Sequence, residues 1–124
     1  MKTIIAGCRD YNDYSYFCDQ MQTYKSSITE IVSGGCSGVD QMAIRYAKDN
    51  GIPYKIFMAE WSKYGKGAGP IRNRQMNEYI GQDQGQLIAF WDQLSSGTKS
   101  MINIFNNSAS SHSSNNCHII NILK

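Results

Sequence analysis

The sequence predicts an α/β fold of Rossmann-like, three-layer type, with a mostly parallel sheet of about five strands flanked by helices. Two observations carry the prediction. Short apolar runs alternate with helical patterns four times along the chain, the signature of a parallel sheet covered on both faces. The runs are also continuous in apolar character, as strands buried on both sides require.

The elements follow in order. Thr3-Ile4-Ile5-Ala6, closed by Gly7, reads as a buried strand. Asn12 and Asp13 offer helix N-caps, and Tyr14, Phe17, Cys18, Met21 and Tyr24 recur at helical intervals behind them. Ile28 to Val32 makes a second strand. Ser33-Gly34-Gly35-Cys36-Ser37-Gly38 then leads into a helix that begins near Ser37, carries Val39, Met42, Ala43, Tyr46 and Ala47 on one stripe, and ends near Asn50-Gly51. Tyr54 to Met58 is a third strand, and Gly69-Pro70 starts the next helix with proline at its first position. Met76, Tyr79 and Ile80 give that helix its apolar face. Gln86 to Trp91 forms a fourth strand, followed by a helix bearing Met101, Ile102 and Phe105, and Cys117 to Leu123 reads as a fifth. Between these last two, nine of the eleven residues from Asn106 to Asn116 are Ser or Asn, a composition that buries too little apolar surface to order itself, so a flexible loop inserted in the domain is expected there.

The 124 residues are expected to form one domain, 1–124. Twelve Lys and Arg against ten Asp and Glu give a net charge of +2 without any basic run, so nucleic acid is not the expected partner. No stretch approaches the roughly 18 apolar residues of a membrane span, and the apolar run before Cys8 is shorter than the roughly 7–15 residues of a signal core, so a soluble protein of the cytoplasm is expected. Cys8, Cys18, Cys36 and Cys117 show neither paired nor zinc-like spacing, which predicts no disulfide framework and no metal site in a reducing compartment.

In open α/β sheets ligands bind outside the carboxyl ends of the strands, and the residues that no core needs collect there. Gly7-Cys8-Arg9-Asp10 follows the first strand. Ser33, Gly34, Gly35, Ser37, Gly38 and Asp40 follow the second, where glycines would admit a ligand close to backbone amides and the helix start would favour an anion. The simpler reading is a strand-to-helix turn that needs glycine for its geometry. Trp61, Tyr64, Lys66, Gly69, Pro70, Arg72, Asn73 and Arg74 follow the third strand. Cations are disfavoured in a first helical turn, so Arg72 and Arg74 there invite an anionic partner, whereas Lys63 reads as solvated surface. Asp92, Ser96, Gly97 and Thr98 follow the fourth strand as a further anion site or an ordinary cap. Cys8 and Cys36 read as small hydrophobes, and His112 and His118 fall where neither builds a catalytic pair.

Taken as an ordered set, these loops resemble the SLOG superfamily, Rossmann-like domains related to Smf (DprA) and to the lonely-guy phosphoribohydrolases, and within it the small YspA-type members of bacteria and phages. The resemblance rests on Gly7 to Asp10, Ser33-Gly34-Gly35 with Gly38-Val39-Asp40, Trp61 with Tyr64-Gly65-Lys66, Ala68 to Asn73, Met76 and Gly97-Thr98. It implies a pocket for a nucleotide-derived small molecule and no separate cofactor, in a homo-oligomer that is a dimer or tetramer. A sensor or sequestering protein for an ADP-ribose-type or cyclic-nucleotide signal is the role it suggests, in the host cytoplasm if the chain is phage-encoded. The alternative is a nucleotide N-glycosidase of the phosphoribohydrolase kind, or a phosphohydrolase. In the lonely-guy enzymes an Arg and a Glu cleave the N-glycosidic bond; Arg72 matches the Arg, but Met101 stands where the Glu would be. Methionine cannot supply the carboxylate such chemistry needs, so binding without catalysis is expected.

Overall fold

Alternate side chains of a strand point to opposite faces, and in this chain both faces find cover. The computed structural model describes residues 1–81, 85–108 and 116–122. Its strands are β1 (Lys2–Gly7), β2 (Glu30–Ser33), β3 (Tyr54–Ile56), β4 (Gln86–Trp91) and β5 (Cys117–Asn121), joined in one sheet of order β3-β2-β1-β4-β5. Every pairing is parallel, with Ile4 opposite Val32 on one side and opposite Leu87 on the other. Ile5, Ile31, Ile88 and Phe90 face helices α1 (Tyr14–Met21) and α2 (Val39–Asp49), while Ile4, Ala6, Val32, Leu87 and Ala89 face α4 (Ala68–Ile80) and α5 (Ser96–Ser108).

Several expected boundaries shift, each for a local reason. Trp61–Tyr64 already forms a short helix, α3, continued by a 3-10 turn at Gly65–Gly67, so α4 starts at Ala68 and Pro70 is its third residue. Proline is tolerated there because the first four amides of a helix have no intrahelical acceptor. Arg72 and Arg74 therefore lie in the second turn, not the first. The first helix stops at Met21, Tyr24 caps a 3-10 turn, Lys25–Ser27, that ends on Ile28, and the second strand starts at Glu30, two residues later than expected. Asn106 to Ser108 belong to α5 and not to the loop, whose residues 109–115 lie outside the described residues, as does Leu123.

Asp13 caps α1, its Oδ1 accepting from the Tyr16 amide at 3.0 Å. The helix is held by Phe17, which stacks on Phe90 with centroids 4.8 Å apart and meets Tyr46 edge-on at 5.8 Å. Among the described residues, the hydroxyl of Tyr46 is buried without a hydrogen-bond partner, and its pKa is pushed up from 10.0 by that burial. An unpaired buried hydroxyl costs about 1–3 kcal/mol. In urea unfolding, Phe17→Ala should lose about 3–5 kcal/mol, the usual range for a fully buried phenylalanine, whereas Tyr46→Phe should leave stability unchanged or raise it.

Candidate functional site

The strand order reverses between β1 and β4: the chain steps outward from β1 through β2 to β3, then returns to β1's other side. The connections leaving β1 and β4 consequently go to opposite faces and leave a crevice above the strand ends. A cavity of about 930 Å³ occupies it. Gly7 ends β1 where the chain is tightest, since a Cβ there would stand 2.6 Å from the Val39 Cβ and 2.7 Å from the Phe90 carbonyl. Gly38, at φ +74°, lets the start of α2 lie against the loop after β1, where a side chain would collide with the Cys8 carbonyl.

The cavity brings together much of what the sequence singled out. Gly7, Cys8, Arg9 and Asp10 line it from β1, Asp40 from α2, Trp61, Lys66, Gly69, Pro70, Arg72 and Asn73 from the α3–α4 stretch, and Asp92, Ser96, Gly97 and Thr98 from the β4–α5 connection. Ala6, Cys36, Met76, Leu94, Ser95, Ser100 and Met101 line it as well without being named as ligand contacts, although Cys36, Met76 and Ser95 fall within the segments the sequence singles out. Tyr64 and Arg74 are exposed and outside it, Tyr64 lying beside Lys63 with the ammonium 5.1 Å from its ring. Ser33, Gly34, Gly35, Ser37 and Gly38 are not among the lining residues either.

That last group works as framework. The Ser33 hydroxyl donates to the Asp40 carbonyl at 3.0 Å and accepts from the Gly35 amide at 3.2 Å. The Cys36 amide donates to Asp40 Oδ2 at 3.1 Å, the Val39 amide to the Cys8 carbonyl at 3.2 Å, and the Ser37 hydroxyl to the Arg9 carbonyl at 3.0 Å. The amides of Gly35, Cys36 and Val39 are thus engaged within the protein, and the glycine loop is no open phosphate cradle at those positions. Loop spacing alone could not reveal this, because besides the Ser33 hydroxyl the acceptors are the Asp40 side chain and the Cys8 carbonyl beyond the end of β1.

Arg72 is buried, with Nε donating to Asn73 Oδ1 at 2.9 Å and Nη1 to the Gly34 carbonyl at 2.7 Å. Nη1 also lies 3.8 Å from Cys36 Sγ. A Cβ on Gly34 would fall 2.6 Å from that nitrogen and 3.0 Å from Asp40 Oδ2, so guanidinium and carboxylate face each other across a glycine. Asp40 is 6% exposed, and its burial raises the carboxyl from 3.8 to about 6 against the opposing pull of the Cys36 hydrogen bonds, Arg72 and Arg9. Arg9 is exposed, its guanidinium 5.9 Å from the Trp61 ring.

The far wall is the first turn of α5. Asp92 Oδ1 accepts from the amides of Leu94 and Ser95 at 2.9 and 2.8 Å, and the Ser95 hydroxyl pairs with Thr98 Oγ1 at 3.1 Å. Nothing lies within 4 Å of where a Gly97 Cβ would be, so the backbone is open to the cavity at that residue. Positive ends of three kinds thereby meet in one space: Arg9 and Lys66 at the rim, Arg72 at the floor, and a helix N-terminus opposite. Met101 is fully buried at the cavity wall and joins the apolar layer between β4 and α5. Among the described residues no group of three or more His, Cys, Asp or Glu is gathered to hold a metal, and no helix is long and apolar enough to cross a membrane.

Compared with known families, residues 1–64, just over half of the chain, match the one described as YspA, cpYpsA-related SLOG. The match takes in the loops after β1 and β2 together with α3. No curated protein and no solved structure gives a significant match.

Asp40 supplies a test of this geometry. Its folded pKa lies above its unfolded one, so the folded protein binds an extra proton between pH 3.8 and about 6, and stability falls as pH rises through that window. Asp40→Asn keeps an oxygen for the Cys36 amide and carries no charge. Relative to the native protein it should gain up to ~3 kcal/mol between pH 4 and pH 7 in urea unfolding. A difference independent of pH would show that the carboxyl does not titrate there.

Proposed function

Because the chain belongs to the YspA, cpYpsA-related SLOG family, we propose that it binds a nucleotide-derived small molecule in the cavity above β1 and β4 and holds it without cleaving it. The observation that carries this reading is the convergence of Arg9, Lys66, Arg72 and the α5 N-terminus on one cavity, for which an anion is the complementary ligand. Arg72 has Nε and Nη1 engaged in the framework, so the rim cations and the open backbone at Gly97 take the larger share of the phosphate contacts. Trp61 is 49% exposed and offers a face for a base. In its finer form the reading takes the ligand to be an ADP-ribose-type or cyclic-nucleotide signal. A phage-encoded protein that sequesters such a signal in the host cytoplasm is the setting in which capture without turnover would act. A dimer or tetramer belongs to the same reading, with the exposed Tyr54, Ile56 and Met58 beside the sheet edge as the apolar surface it would cover.

Met101 supports holding over cleavage, since it presents thioether and methylene groups where hydrolysis of an N-glycosidic bond calls for a carboxylate. One observation favours the second reading, an N-glycosidase, phosphoribohydrolase or phosphohydrolase. Asp40 lines the cavity with a carboxyl raised to about 6, close enough to neutrality to exchange a proton.

Two measurements separate these readings. Gly97→Ala fills open space in the first turn of a helix, so it should fold at least as stably as the native protein while lowering ADP affinity about tenfold in calorimetry, a loss of about 1.4 kcal/mol. Lys66→Ala should lower it by a similar factor, and affinities unchanged in both variants would remove the anion site. Mass spectrometry of nucleotides recovered after incubation should find them intact, and a free base or released phosphate would instead establish the hydrolase.

A further inference from the structure

The connection from β4 to α5 sets a strained residue beside an exposed one at the lip of the cavity. Gln93 has φ +68°, the only positive φ outside glycine among the described residues. A side chain disfavours that backbone region, and such strain persists only where the surrounding structure enforces it. Leu94, which follows, is 84% exposed, more than any other large apolar residue described, and it lines the cavity. At that exposure it contributes little burial to the stability of the fold.

The loop that carries Leu94 is nevertheless tied down on both sides. Asp92 Oδ1 holds the Leu94 and Ser95 amides, and the Trp91 indole Nε1 donates to the Ser95 carbonyl at 3.1 Å. Gln93 Nε2 donates to Asn121 Oδ1 on β5 at 3.3 Å. A strained turn, anchored at both ends, thus keeps an isobutyl group in solvent beside a cavity. Its chain neighbours Gln93 and Ser95 are polar, so no apolar run extends from it toward a docking surface for another protein. What it offers is one apolar contact for a small group.

The other exposed large apolar residue in the lining is Trp61, which enters from the connection after β3, and β3 and β4 lie on opposite sides of β1. The indole is braced from behind, its Cη2 being 3.5 Å from where a Gly69 Cβ would stand. Charged groups of both signs, Arg9, Lys66 and Arg72 with Asp10, Asp40 and Asp92, fill much of the remaining wall. They suit phosphates and hydroxyls. The two faces of a heterocyclic base need apolar cover, and Trp61 and Leu94 are the exposed groups of the lining that give it.

We propose that Leu94 is a specificity-determining residue, packing on one face of the ligand's base while Trp61 takes the other, so that the site prefers a nucleotide to a sugar phosphate of the same charge. This rests on the reading of the cavity as a nucleotide site and adds the side chain that makes the distinction.

AMP and ribose 5-phosphate differ only in the base, and calorimetry with the two tests the proposal on the native protein, Leu94→Ser and Leu94→Met. The native protein should bind AMP more tightly than ribose 5-phosphate. Leu94→Ser should lower AMP affinity about fivefold, leave ribose 5-phosphate affinity as it was and unfold at the native urea midpoint, while Leu94→Met should keep the native AMP affinity. Equal losses for both ligands, or AMP binding unaltered in Leu94→Ser, would overturn the proposal while leaving the anion site standing. A sedimentation coefficient of the free protein that falls in Leu94→Ser would overturn it too, by showing Leu94 to be a contact between copies of the chain. A native protein that binds neither ligand would remove both the proposal and the anion site.

Discussion

The hydrogen bond from Arg72 to the Gly34 carbonyl is the contact on which the arrangement of the site depends. It ties α4 to the loop after β2, two parts of the chain on which the cavity is built. A guanidinium this buried is tolerable only when its donors find acceptors and a countercharge is near, and Asn73, Gly34 and Asp40 meet those needs. Gly34 must be a glycine for the guanidinium to come so close. Once the arginine is seated, Asp40 faces it, the Cys36 amide turns onto Asp40, and the glycine loop has one conformation.

This division of labour separates the cations by role. Arg72 gives the cavity floor its field and its rigidity, while the exposed Arg9 and Lys66 stand at the rim where a ligand would first meet charge. The net charge of +2 is a poor guide to the potential inside the crevice, where Asp10, Asp40 and Asp92 stand beside the cations and two of these carboxylates are turned toward backbone amides, Asp40 to Cys36 and Asp92 to Leu94 and Ser95.

Much of the fold was legible in the sequence because its central strands, β1, β2 and β4, are buried on both faces and leave no ambiguity of period. Gln86 to Trp91 matches β4 residue for residue, and the glycine at each loop after β1 and β2 marks a real close approach. The start of α4 was misread because Gly65, Gly67 and Pro70 look like breakers, whereas the chain passes through a 3-10 turn and keeps winding. The loops that form the cavity were visible as clusters of residues no core requires. Which of their amides face a ligand was not, since that depends on acceptors such as the Cys8 carbonyl that only the folded sheet brings near. A second cavity, between the start of α1 and the end of β5, left no trace in the sequence for the same reason: Tyr16 and Asn121 come to line one space only once β5 lies beside β4.

The walls of the crevice come from four separate connections of one sheet, and in the unfolded chain nothing holds Arg9, Lys66 and Gly97 near each other. A ligand seated among them acts as a clasp that closes only on the native state. At a hundred times its dissociation constant it adds about 2.7 kcal/mol to folding, a large share of the stability of a domain this small. If the proposed ligand binds there, the lifetime of the protein in a cell follows the supply of that ligand, and the abundance of the protein rises and falls with it.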